Sequence, residues 1–96
     1  MLDFSQEYYF TGFEILFSQT YYNCKPKTYK VQTFDNKKRI TNEFTFINEK
    51  KDKLKKIIEL NKQARYLKFN FNENFGGEYF VIRKIYFFIE FLEYIE

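Results

Sequence analysis

"NEKKDKLKKIIELNKQ", residues 48–63, is the stretch on which the fold turns. Asn48 is a good helix N-cap, and Glu49 suits the positive end of a helix dipole. Leu54, Ile57, Ile58 and, just beyond, Ala64 fall near one stripe, while lysines cover the rest. That period predicts an amphipathic helix resting on the body of the domain. On both sides of it the pattern shortens to a strand-like one. Upstream, "EYYFTGFEILF" (7–17) is apolar on both parities, a strand buried on both sides with Gly12 allowing a bend or bulge. "TYKVQTF" (28–34) and "ITNEFTFI" (40–47) form a hairpin around the basic turn "DNKKR". Downstream, "RYLKFNFN" (65–72) alternates with Leu67, Phe69 and Phe71 inward, and "YFVIRKIYFF" (79–88) gives a fifth strand. The predicted class is mainly β with one helix, in the order β-β-β-α-β-β.

Ninety-six residues make one domain, 1–96, with its core in 6–86. Residues 87–96 read as a docking or oligomerisation segment, either a short amphipathic helix or an extension of the fifth strand. Rings are the outlier: 14 Phe and 9 Tyr, 24% of the chain, exceed what one small core needs. Some should therefore be exposed and in contact with a partner. One thiol, Cys24, forms no intramolecular bridge, which suits a reducing, cytoplasmic setting. Histidine is absent, removing the commonest general base and metal ligand together. "ENFGGE" lacks the Lys-Ser/Thr of a phosphate loop, and the acids show no metal-ligand spacing. These features predict a binding protein with no cofactor and no metal, not an enzyme. The amino terminus lacks signal-peptide order, and "IYFFIEFLEYIE" is cut by glutamates and too short to span a bilayer, so no membrane is expected. Residues 24–68 hold 14 basic and 5 acidic side chains, while both flanks are acidic. A polyanion is the natural partner of such a block.

Strand, strand, strand, helix, strand, strand is the order of the OB-fold, a five-stranded Greek-key barrel. Within it the chain resembles small bacterial single-stranded DNA-binding proteins, in the compact form found on mobile elements and phages. The resemblance rests on "YYFTGFEIL", "TYKVQTFDNKKRITNEFTFI" and "YLKFNFNENFGGEYFVIRKI", over residues 6–86. It implies sequence-tolerant binding that coats single-stranded DNA during replication or transfer, assembly as a homo-oligomer, and replication proteins as further partners. The chain departs from that family in lacking Trp and a long tail with an acidic Pro-Phe tip.

Bases stack on rings at about 1–3 kcal/mol each, and phosphates attract the cations beside them. Lys30 and Phe34 share one side of the second strand, and Lys37, Lys38 and Arg39 follow in the turn. Tyr22 and Tyr29 flank the first loop beside Lys27. Phe44 shares its parity with Ile40 and Phe46, which also suits a core role. Phe75 sits at the tip of the elbow 73–78, either as a stacking ring or folded back on the barrel mouth. RNA is a related ligand, since nothing here senses a 2′-hydroxyl. The alternative function is a phage- or plasmid-encoded inhibitor using the same ring-rich sheet against a host protein.

Overall fold

The computed structural model describes residues 1–18, 20–49 and 55–90. Five strands make one antiparallel sheet: β1 Leu2–Phe17, β2 Pro26–Phe34, β3 Ile40–Ile47, β4 Lys55–Asn74 and β5 Ile82–Glu90. A 3-10 turn, Tyr22–Cys24, lies in the connection from β1 to β2.

Among the described residues the predicted helix is not there. Among the described residues of that stretch, 55–63 belong to β4, while 50–54, with Leu54, lie outside the described residues. The run "KKIIEL" satisfies both periods, as short apolar runs do. In the structure Ile58 packs against the core and Leu60 is buried, whereas Ile57, which a helix would put beside Ile58, is 65% exposed. Tertiary pairing decided between the two. The sixteen residues of β1 need hydrogen-bond partners, and β4 supplies them, with Phe13 opposite Ile58 and Leu16 opposite Lys55. Asn48 ties the end of β3 to the start of β2: its backbone N–H donates to the Lys27 carbonyl (2.8 Å) and its Nδ2 to the Pro26 carbonyl (2.8 Å).

The predicted OB barrel is overturned with the helix. The strand order is β3-β2-β4-β1-β5, so β3 and β5 lie at opposite edges and the sheet stays open. Its extents, 53 × 25 × 18 Å, are those of a long curled sheet. The resemblance to OB-fold single-stranded DNA-binding proteins therefore fails at the level of architecture. The cause is the length of β4. Its twenty residues serve two neighbours in series, β1 along 55–67 and β2 along 66–74.

The sheet curls over its own apolar face. Phe10, Phe13, Ile15, Phe17, Tyr29, Val31, Leu60, Ala64 and Leu67 form the buried cluster. Phe13 of β1 reaches across to Phe69 of β4 (centroids 5.4 Å) and Phe46 of β3 (6.1 Å), both edge-on. Irregular residues permit this curvature. Ser5 (φ 73°) and Asn61 (φ 52°) adopt left-handed backbone where the β1–β4 register shifts.

Tyr29 carries a cost within this core. It is fully buried and its hydroxyl has no hydrogen-bond partner among the described residues. Burial pushes its pKa up to about 12. Tyr29→Phe keeps the ring and removes the orphan hydroxyl, so urea unfolding at neutral pH should show about 1 kcal/mol of added stability. The raised pKa means the unfolded chain loses this proton first. Wild-type stability should thus fall between about pH 10 and 12, and the variant should lose less of it there.

Candidate binding surfaces

Alternation along β2, β3 and the second half of β4 sorts side chains onto two faces. On the inner face Tyr29 stands opposite Phe46 and Phe71, and Val31 opposite Phe44 and Phe69. Phe44 and Phe46 stack nearly parallel (17°), as do Phe69 and Phe71 (26°), and Phe80 lies 5.7 Å from Phe71. These four strand phenylalanines are half-buried, and Phe80 is exposed. The β1–β5 half covers this ring-lined strip only partly.

The outer face is polar. Lys30 stands opposite Thr45 and Asn70, and Gln32 opposite Glu43 and Lys68. Lys30 Nζ pairs with Glu43 (3.2 Å), Gln32 Nε2 donates to Glu43 (3.3 Å), and Asn70 Nδ2 donates to Gln32 Oε1 (3.3 Å). Gln32 and then Lys30 hold the Glu43 carboxyl below its ordinary pKa.

At one end of this face sits the β2–β3 turn. Asp35 Oδ1 accepts from the backbone N–H groups of Lys37 (2.9 Å) and Arg39 (3.0 Å), and Oδ2 accepts from Arg39 Nε (2.8 Å). Those bonds, led by the Arg39 backbone N–H, lower the Asp35 pKa. Lys38 takes left-handed backbone (φ 60°) and its ammonium lies 5.6 Å from the Tyr66 ring. Arg65 also lies against that ring (5.0 Å) and pairs with Asp3 (3.1 Å), whose pKa is lowered chiefly by this hydrogen bond. All three carboxylates are more acidic folded than unfolded, so their stabilisation is present above ordinary carboxylate values and is lost as pH falls through the lowered ones. The melting temperature should stay level from neutral pH to about 5 and drop below about 4. Asp35→Asn should melt lower at neutral pH and show a shallower acid loss.

Chemically, the rings and cations predicted as one wall are divided. Lys30, Lys37, Lys38 and Arg39 gather along the outer face and its turn. Phe34 joins them on that side but is 6% exposed, flanked by Tyr66 and Ile40. Tyr29 and Phe44 are on the inner face, Tyr29 with no ring surface exposed. Lys27 is exposed at the start of β2. The side chain of Tyr22 lies outside the described structure. Phe75 is half-buried, its ring 5.5 Å from the buried Lys25 ammonium, which donates to the Glu49 carbonyl (2.6 Å). The elbow itself is tied down: Phe75 and Gly77 N–H both donate to the Asn23 carbonyl (3.0 and 3.1 Å).

The chain matches no protein-family model, no curated protein and no solved structure.

Two features escaped sequence reasoning. Tyr66 holds two cations against its ring, although its alternation with Leu67 showed only that it points away from the core. A cleft of about 270 Å³ opens between the exposed Tyr21 and Tyr79, floored by Asn23, Cys24 and Gly77. Among the described residues no group of three or more His, Cys, Asp or Glu is placed to hold a metal, and no helix is long and apolar enough to cross a membrane.

Phe44 and Phe46 bring the inner strip to the β3 edge, while Ile40 and Ile47, opposite Phe34 and Thr28, lie on the outer side and are 58% and 70% exposed; among the described residues β3 pairs only with β2. An edge of this kind offers a ladder of backbone donors and acceptors beside apolar side chains.

Proposed function

We propose that this chain is a non-catalytic protein-binding module, which takes an extended apolar segment of another polypeptide along the β3 edge. The observation that carries this reading is the separation of rings from cations. Stacking a base needs a bare ring beside a phosphate-binding cation. Here the partly open rings, Phe44, Phe46, Phe69 and Phe71, lie on the face opposite Lys30 and Lys68. An added strand would instead gain main-chain hydrogen bonds from β3 and bury alternate apolar side chains beside Phe44 and Phe46. The single buried thiol of Cys24 fits such a role in a reducing, cytoplasmic setting.

The second reading keeps nucleic acid as the ligand. It is favoured by the cations along one outer surface, Lys30, Lys68, Lys37 and Lys38, which suit the phosphates of single-stranded DNA or RNA. Panning random displayed peptides against the folded protein, beside titration of labelled oligo(dT) at several salt concentrations, separates the two. The first reading expects selected peptides with alternating apolar residues, and loss of their binding in Phe44→Ala, half-buried on the inner face beside the β3 edge, with far-UV circular dichroism checking that the sheet persists. Salt-sensitive oligo(dT) binding with no peptide selected would replace it with the second.

A further inference from the structure

The opposite edge of the sheet carries its own pattern. β5 pairs with β1 on one side and, among the described residues, with no strand on the other. Soluble proteins blunt such edges with proline, bulges or a central charge. Beyond a register shift at Arg83, β5 has no such device of its own: Ile85, Tyr86, Phe87, Phe88 and Ile89 run without a charge, glycine or proline. Arg83 and Lys84 stand at its start and Glu90 at its end. Tyr86 and Phe88 project outward, 46% and 40% exposed. Next to them Ile57, in register with Tyr86 through Glu14, is also exposed.

We propose that the β5 edge pairs antiparallel with β5 of a second copy, joining two sheets into one of ten strands. The charge order selects both partner and direction. Centred on Phe87, antiparallel self-pairing sets Lys84 opposite Glu90 twice, by two-fold symmetry. It also sets Tyr86 opposite Phe88 and Ile85 opposite Ile89. Opposite charges and aromatic pairs are the combinations that stabilise facing strands. Parallel pairing would set Lys84 on Lys84 and Glu90 on Glu90, which repel. A second copy therefore carries complementary charges at the right spacing, and the contact is isologous and closes at two. Tyr86 and Phe88 of both copies then form one ladder of four rings on the outer surface. The β3 edges remain outermost, so this contact is independent of the peptide-binding reading.

Sedimentation velocity on the full chain over a range of concentrations tests the proposal. Wild type should sediment as a dimer. Lys84→Glu and Glu90→Lys should each weaken dimerisation, by roughly tenfold or more given two pairs lost per dimer. The double variant should restore it. Both side chains are exposed, so far-UV circular dichroism should be unchanged throughout. A wild-type monomer at high concentration would overturn the proposal. So would a dimer indifferent to both reversals, or one that forms only after residues 91–96 are removed.

Discussion

Replacing Phe13 by alanine is expected to cost about 4 kcal/mol, a large share of the stability a chain of this size possesses. No part of Phe13 is exposed. Its ring is the keystone of the curl, since from β1 it meets Phe69 and Phe46 on the far half of the sheet. Removing it leaves a void bounded by rings anchored on two other strands, β3 and β4, which cannot both close inward. Phe13→Leu keeps most of the volume and should cost about 1 kcal/mol. Urea denaturation of the two variants measures the difference. Similar losses for both would mean that shape at this site matters less than the contacts indicate.

The next residue upstream carries the second large effect. Gly12→Ala should cost about 3 kcal/mol, because a Cβ there would fall on the Ile58 carbonyl oxygen. That oxygen belongs to the backbone of β4, so no side-chain rotation relieves the overlap. Gly12 is also held on its other side, opposite Phe88 of β5, at the place where both registers shift. The added methyl must push apart strands that are fixed by their ladders. Thermal melting of the variant, with hydrogen exchange at the neighbouring β1 and β4 amides, should show loosening that spreads from this point.

Which parts of this were legible beforehand follows from the range of the forces involved. The β2–β3 hairpin was readable, because its turn is fixed by Asp35 and its strands by local alternation. The Gly12 irregularity was readable for a similar reason. Residues 55–63 were not. Ile57, Ile58 and Leu60 fit a helical stripe and a strand face alike, and the choice between them was made by β1, more than forty positions earlier. With the helix went the barrel, since the element order rested on it. For the surfaces, parity showed that Lys30 and Phe34 share a side. It did not show that Tyr66, from β4, would lie beside Phe34 and leave that ring covered. A ring count likewise cannot tell a crowded core from a display surface.

The two-sided service of β4 bears on how the chain assembles. Among the described strands only the short hairpin joins segments close in sequence; the pairings of β1 and β2 with β4 wait for the long fourth strand, and that of β1 with β5 for the fifth. Emerging from a ribosome, the first strand must stay unmatched until its distant neighbour has been made, with apolar positions open to the wrong company. Folding should accordingly run on the slow scale of proteins built from long-range pairings, milliseconds to seconds. Chaperone demand and inclusion-body formation at high expression follow from the same delay.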